Sequence, residues 1–307
     1  MMKRSLHPWL GLLVYAACAL PNVAAAQTTA YSSLVDPLPG NVDSQCFECD
    51  RVNEFGDKVA LASGVSRRLD SVAVTLSSWA CEKGSGVTCN TKKGKTFNHP
   101  VTLKLYAANP GSPDLPGTEL ASVTSTFAIP YRPSADPKCP DTGLGAGTGW
   151  RASPTQCFNG KAVDITFDLH ALGLILPPTL IWSVTYDTQS AGYNPLGVPG
   201  PYNSLNVGLS SAATVGTDVD PNGAFMNSSN ADWYCDGGAG GVDVFRNDTD
   251  NTNSCWSGLV PAARIRVWDV PHTAGECKKN GWKTLTRLDG SLFASQAACE
   301  QYVKTGV

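Results

Sequence analysis

Apolar side chains alternate with polar or small ones along seven stretches of the chain. In one of them, Val163, Ile165 and Phe167 are separated by Asp164 and Thr166. A period of two places successive side chains on opposite faces of a strand, so each stretch predicts a β-strand with one buried face. The stretches cover residues 72–76, 101–105, 123–129, 163–169, 180–186, 205–209 and 265–267.

This pattern predicts an all-β fold of antiparallel sheets, packed as a β-sandwich or jelly roll, because antiparallel sheets commonly bury one face and expose the other. Composition agrees with it. The 307 residues include 30 Gly and 21 Pro, and only 16% are charged, which suits many short strands joined by turns. Residues 130–157 and 210–256 carry no alternating pattern, and we expect them to be long loops held by disulfides.

Near the C-terminus the pattern changes. Residues 293–303 predict a short helix, with Asp289 or Ser291 as its N-cap. The side chains expected to share its buried side are Phe293, Cys299 and Val303.

Two domains follow from this change. We expect a β-sandwich over residues 27–271 and a small module over residues 272–307. A segment of about 35 residues can bury little apolar surface, so a bridge between Cys277 and Cys299 would be the main staple of the module.

The N-terminus has the layout of a secretory signal peptide. A basic start precedes an apolar run over residues 9–20, and residues 24–26 are the small residues that signal peptidase accepts. This run is shorter than the ~20 residues that span a bilayer as a helix. We expect residues 1–26 to be cleaved and the protein to be exported to the periplasm, cell surface or medium; a membrane anchor and a lipid-modified start at Cys18 are the alternatives.

Charge argues against a nucleic-acid partner. Removing Lys3 and Arg4 from the 23 basic residues leaves 21 against 26 acidic ones, a formal charge of −5. Such a surface repels phosphates, and no basic cluster offsets it. We expect neither nucleic-acid binding nor, after signal removal, a transmembrane segment.

Ten cysteines follow the signal segment in five pairs of near neighbours. Sequential pairing is our prediction, although ten cysteines allow on the order of a thousand connectivities. Closing a loop of ~15 residues removes unfolded-state entropy worth ~3 kcal/mol, which suits an exported protein. The predicted bridges are Cys46–Cys49, Cys81–Cys89, Cys139–Cys157, Cys235–Cys255 and Cys277–Cys299.

The pair Cys46 and Cys49 also has the spacing of a redox or zinc motif. A redox pair normally opens a helix of a βαβ unit, whereas loop and strand follow here. Zinc would need further ligands, and His99, His170 and His272 are far apart in sequence. The interpretation is a structural disulfide, with redox chemistry and metal binding as alternatives.

Several segments resemble a family of bacterial secreted β-rich proteins that has no assigned function. They are EFGD at 54–57, SSWAC at 77–81, IPYRPSADP at 129–137, CFNG at 157–160, SLNVGL at 204–209 and YCDGG at 234–238. Residues 277–302 resemble a second module, a CKxxGW…QxxC tail found on other bacterial exported proteins. The resemblance implies secretion and carries over no active-site residue; Cys46 and Cys49 depart from the family pattern.

A candidate metal site lies in the second long loop. Asp218, Asp220 and Asn222, followed by Gly223, have the D-x-D-x-N-G spacing of a calcium loop, where alternate oxygens converge on a hard cation. The twelfth position is Ser229 and not the bidentate Glu of an EF-hand. This predicts a structural calcium ion in a loop; an ordinary turn without metal is the alternative.

Aromatic residues gather beside the predicted bridges. Those we single out are Trp150, Trp233, Tyr234 and Trp256. Rings on the loops of a β-sandwich can stack on the apolar faces of sugars while Asp and Asn bind the hydroxyls. Packing of these rings in the core is the alternative.

These features predict an exported, non-catalytic protein that binds glycan or extracellular matrix material. A secreted polysaccharide hydrolase is one alternative, and it would need two carboxylates ~5–9 Å apart, which the sequence does not place. A purely structural envelope protein is the other.

Overall fold

The computed structural model describes residues 27–187, 205–249 and 255–307, so the predicted signal segment lies outside the described residues. Within these ranges there is one α-helix, α1 (Gln296–Thr305), and no helix long and apolar enough to span a membrane. The strands are β1 (Gln27–Ser32), β2 (Ser44–Gln45), β3 (Val52–Ala60), β4 (Leu69–Ser78), β5 (Thr96–Ala108), β6 (Pro116–Pro130), β7 (Trp150–Ser153), β8 (Gln156–Phe158), β9 (Lys161–Asp168), β10 (Thr179–Thr185), β11 (Leu205–Ser210), β12 (Thr217–Asp218), β13 (Gly223–Ser228), β14 (Arg246–Thr249), β15 (Val260–Pro261) and β16 (Ala263–Trp268).

Two antiparallel sheets enclose one core. The first has the order β1-β16-β4-β11-β15, with β9 on the opposite edge of β4 and β2 paired with β11. The second has the order β14-β13-β3-β10-β5-β6, with β12 paired with β3. Buried side chains of both sheets, such as Val74 and Ile265 from the first and Leu103 and Trp182 from the second, belong to a single cluster. The fold is therefore all-β, antiparallel and disulfide-rich, as predicted.

All seven alternating stretches coincide with strands, namely β4, β5, β6, β9, β10, β11 and β16. The expectation of a long loop over residues 210–256 is wrong, because β12, β13 and β14 lie within it. Residues 130–157 are irregular until β7 near their end. In β13, Ala224 and Met226 contact the main core while Phe225 joins a second cluster on the other face. Both faces of this strand are buried, so its sequence does not alternate.

The strand that begins the described chain pairs with the last strand of the sandwich. β1 runs antiparallel to β16 at one edge of the first sheet, with Gln27 opposite Trp268 and Ser32 opposite Arg264.

The five predicted disulfides all form in the described residues, each between sequential cysteines, and the pairing is confirmed. The largest separation within a pair is 22 residues. Every bridge therefore closes a local loop.

The C-terminal module has a small core of its own, formed by Cys277, Leu285, Phe293 and Cys299, with Val303 packed against it. The predicted helix is present, but its predicted cap is wrong. Ser295 is the N-cap, and its Oγ accepts a hydrogen bond from the backbone N–H of Ala298 at 3.2 Å. Neither Asp289 nor Ser291 caps the helix, because the helix begins at Gln296 and not at residue 293 as predicted.

The module contacts the sandwich beside β16. Thr286 donates a hydrogen bond from Oγ1 to the buried Ser66 hydroxyl over 2.6 Å, and its backbone N–H donates to the carbonyl of Asp269. Arg68 donates to the carbonyl of Gly290 at 3.4 Å.

Candidate functional site

A surface groove of about 540 Å³ lies beside the Cys235–Cys255 disulfide, and we call it the Trp233 groove. It brings together three of the four predicted aromatic residues, Trp233, Tyr234 and Trp256. The polar residues that line it are Asp43, Ser44, Gln45, Asp50 and Asp232.

The three rings differ in how much surface they offer. Trp233 is 45% exposed, whereas Tyr234 is 3% and Trp256 5% exposed. Trp233 ends a short 3-10 helix (Ala231–Trp233), which Asn230 caps by accepting the backbone N–H of Asp232 at 3.2 Å. Only Trp233 therefore presents an indole face to a ligand.

Tyr234 and Trp256 form the wall of the groove. The Tyr234 hydroxyl accepts the backbone N–H of Ser228 at 2.8 Å, and the Arg246 guanidinium lies 4.3 Å from the centre of its ring. Trp256 donates from Nε1 to the buried Asp248 carboxylate, which also accepts the backbone N–H of Cys235. These bonds fix both rings in place before any ligand arrives.

The carboxylates of the groove are in different states. Asp43 and Asp232 make no side-chain hydrogen bond within the described residues, and both are exposed. Asp50 accepts a hydrogen bond from Gln45 Nε2 at 2.6 Å. Burial raises the pKa of Asp50 above its ordinary value, and the bond from Gln45 opposes this shift. No Lys or Arg is among the described residues that line the groove, and its three carboxylates give it a negative potential.

Trp150 lies apart from the other predicted aromatic residues. It is 7% exposed, donates from Nε1 to the carbonyl of Gly160 at 2.6 Å, and packs on Phe158 with ring centres 5.7 Å apart. Its ring therefore packs against residues that follow the Cys139–Cys157 bridge and offers little surface to a ligand.

A cluster of carboxylates forms where β12 joins β3. One oxygen each of Asp57, Asp218 and Asp220 lies within 4.8 Å of the others, and we call these residues the acidic cluster. Asp218 is opposite Val59 in the β12–β3 pair, which brings the predicted calcium loop to the sheet. Asn222, the third predicted ligand, is exposed, and its backbone carbonyl accepts a hydrogen bond from the Thr249 hydroxyl at 3.1 Å.

Asp57 was missed from the sequence. It lies between Phe55 and Val59 on the inward face of β3, where both neighbours belong to the core, and it is 0% exposed. A charged residue between two apolar inward positions is a signal that the sequence does contain, but Asp57 itself interrupts the alternation by which the strand would be recognised.

Burial raises the pKa of all three carboxyl groups of the acidic cluster. The pKa of Asp57 is well above its ordinary value, with the charges of Asp220 and Asp218 adding to the effect of burial. Burial raises the pKa of Asp220 to about 6, although Lys58, whose Nζ lies 3.5 Å from its Oδ2, opposes the shift. Among the described residues, one ammonium group, that of Lys58, forms an ion pair with the cluster, which is too little positive charge to keep all three carboxyl groups ionised.

The Cys46–Cys49 pair forms a disulfide, so its sulfur atoms are not thiolate ligands for zinc. The three histidines have separate surroundings: His99 is fully buried, His170 lies 3.1 Å from Asp70, and His272 is exposed. They form no metal group in the described part of the chain.

In comparisons with known proteins, the chain matches no protein-family model, no curated protein and no solved structure. Its function has to be inferred from the groove and the acidic cluster themselves.

Proposed function

We propose that the Trp233 groove binds carbohydrate and that the protein is an exported, non-catalytic binding protein for glycan or envelope material. The observation that carries the proposal is the exposed indole of Trp233 in a groove whose other aromatic rings are locked into the wall. A sugar ring has an apolar C–H face that stacks on an indole, and its hydroxyls need hydrogen-bond acceptors close to that plane.

The groove supplies such acceptors. Asp43 and Asp232 line it without side-chain hydrogen bonds to the rest of the described chain, and Ser44 adds a hydroxyl. Because the Asp43 and Asp232 side chains make no hydrogen bond to the described protein, a sugar hydroxyl that binds to them would displace water and would break no protein hydrogen bond. Their charge also favours one class of ligand: neutral or amino sugars are accepted, and polymers of acidic sugars are repelled.

Affinity electrophoresis and pull-down with neutral, amino-bearing and acidic polysaccharides test this proposal. We expect retention on one of the first two classes, and Trp233→Ala to weaken it at least tenfold. Trp233→Phe keeps an aromatic face and should retain most of the binding. Leu144→Ala is the matched control, since Leu144 is 57% exposed and does not line the groove. Equal binding by wild type and Trp233→Ala would overturn the site, and no retention on any polymer would favour a structural role.

A second function has one observation in its favour. Asp50 lies in the groove with two further carboxylates and has a raised pKa, the state in which a carboxylic acid donates a proton to a glycosidic oxygen. A reducing-sugar assay on the retained polymers separates the two functions. Sugar release that Asp50→Asn abolishes would identify a polysaccharide hydrolase, whereas retention without release supports the binding protein.

A further inference from the structure

We propose that Asp57, Asp218 and Asp220 bind one divalent cation, Ca²⁺, which fastens β12 and the turn after it to the inner face of β3. The sequence pointed to the loop alone. The structure adds Asp57, a core residue from a different strand, to two of the loop carboxylates.

The position of Asp57 requires a partner that the described protein does not supply. Its Oδ1 accepts the backbone N–H of Lys58 at 2.9 Å, but its Oδ2 is buried and has no hydrogen-bond partner in the described residues. A fully buried carboxylate with an unpaired oxygen is strongly unfavourable unless it is protonated or bound to a cation. Asp220 Oδ1 is also buried and unpaired within this part of the structure.

A second unpaired group lies beside the acidic cluster. Tyr31, on β1 of the opposite sheet, is 0% exposed, and its hydroxyl has no hydrogen-bond partner among the described residues. The adjacent Ser33 hydroxyl donates to the carbonyl of Pro261 at 2.9 Å. Burial raises the pKa of the Tyr31 hydroxyl, and the charges of all three cluster carboxylates add to this shift. A Cβ atom added at Gly216, the residue before β12, would lie 3.0 Å from the Tyr31 ring. The ring therefore approaches the β12 side of the acidic cluster from the opposite sheet.

The chemistry of these groups selects a hard cation. All the side-chain donors are oxygens, which suit Ca²⁺ or Mg²⁺ and not zinc or copper. The carboxylate oxygens lie within 4.8 Å of one another, close enough to contact one ion. Mg²⁺ needs near-ideal octahedral geometry, whereas Ca²⁺ accepts an irregular set of six to eight oxygens, as three carboxylates from two strands and a turn would provide. Three carboxylates, one Ca²⁺ and the Lys58 ammonium carry no net charge.

A cation has a route to the acidic cluster. A surface cavity of about 250 Å³ is lined by Gly216, Thr217, Asp218 and Pro221. Asp218 is thus partly exposed on the cavity side, while Asp57 lies behind it in the core. Waters in the cavity would complete the coordination that three carboxylates leave open.

Calorimetric titration of the chelator-treated, oxidised protein with CaCl₂ and with MgCl₂ tests the proposal. We expect one Ca²⁺ per chain, weaker Mg²⁺ binding, and a melting temperature that Ca²⁺ raises by several degrees. Asp218→Asn should weaken Ca²⁺ binding at least tenfold. This variant changes a partly exposed residue, so it provides the test if Asp57→Asn fails to fold. Glu119→Gln, an exposed acid of the same sheet, is the matched control and should bind as wild type.

Two results would overturn the proposal. One is the absence of Ca²⁺ binding; a more stable Asp57→Asn variant would then show that the carboxyl groups share protons instead. The other is Ca²⁺ binding that Asp218→Asn leaves unchanged, because the ion would then lie elsewhere. Neither result depends on the Trp233 groove, whose ligand is tested without added cation.

Discussion

The indole Nε1 of Trp256 donates a hydrogen bond to Oδ2 of Asp248 over 3.0 Å, and this bond ties the wall of the Trp233 groove to β14. The same fully buried carboxylate accepts the backbone N–H of Cys235 at 2.9 Å. Two donors therefore converge on one buried acid.

The first prediction concerns this acid. Asp248→Asn places an amide N–H group next to the N–H donors of Trp256 and Cys235, which need an acceptor. We therefore expect the variant to lower the free energy of unfolding by about 2–4 kcal/mol. Urea denaturation followed by tryptophan fluorescence measures the loss. Glu119→Gln is the control and should stay within about 0.5 kcal/mol of wild type. An unchanged midpoint for Asp248→Asn would show that the bonds to Trp256 and Cys235 contribute nothing.

A second prediction follows from His99, which points into the core from β5 and has no hydrogen-bond partner for either ring nitrogen among the described residues. Burial lowers its pKa to about 4, and the charge of Asp187 opposes the shift. The unfolded chain takes up this proton near pH 6.5, whereas the folded protein does so only near pH 4. Stability is therefore fully present above pH 6.5 and falls by up to about 3 kcal/mol as the pH drops to 4.

The contribution of His99 is isolated by comparing variants. His99→Phe should flatten the decline of unfolding free energy between pH 6.5 and 4, while His272→Gln, at an exposed position, should not. The slope is compared and not the absolute stability, because a larger ring also changes packing. Identical slopes in wild type and His99→Phe would mean that His99 takes up its proton over the same pH range in the folded protein as in the unfolded chain.

The third prediction tests a close approach of two strands. A Cβ atom added at Gly56 on β3 would overlap the carbonyl oxygen of Trp182 on β10, and a backbone atom inside a sheet has no room to move. We expect Gly56→Ala to prevent folding or to lower stability by more than about 4 kcal/mol. Gly111→Ala is the matched control, since its nearest neighbour would be Asn109 Oδ1 at 3.6 Å. Circular dichroism and melting temperature report both outcomes, and a native-like Gly56→Ala would contradict the strand spacing.

The fourth prediction concerns the boundary at residue 271. Removing residues 272–307 should leave the sandwich folded, because its core contains no residue of the module. The buried Ser66 hydroxyl would lose its bond to Thr286, so we expect a loss of about 1–3 kcal/mol. Far-ultraviolet circular dichroism and urea denaturation of the truncated chain measure both effects. A truncated chain without cooperative unfolding would mean that the two parts fold as one unit.

The sequence predicted strands where apolar side chains alternate with small or polar ones, even in β4, β10 and β11, whose two faces are both buried. It missed strands whose sequence does not alternate in this way, such as β3 and β13. β5 alternates because its outward residues are largely in solvent. In β3, Asp57 faces the core between Phe55 and Val59, and a register shift next to Glu54 puts Val52 into the same core. The polar residue and the shift both interrupt the period of two, so the strand is not visible to it.

For the candidate sites, too, the sequence located some residues correctly and misplaced others. Proximity to cysteines pointed to Trp233, Tyr234 and Trp256, which the Cys235–Cys255 bridge holds in one groove. The same reasoning grouped Trp150 with them, yet the Cys139–Cys157 bridge holds it elsewhere. Sequence spacing describes local loops well, whereas which loops meet depends on strand pairing across the sheet.

The pairing of β1 with β16 has a mechanical consequence. Because Gln27 lies opposite Trp268, tension applied between these two residues would break the hydrogen bonds of the β1–β16 pair one after another, beginning at this end, and not all at once. None of the five disulfides joins these two strands, so none limits the extension. A weak pull would therefore peel off β1 first and carry Tyr31 away from Asp57, exposing the acidic cluster while most of the sandwich stayed intact.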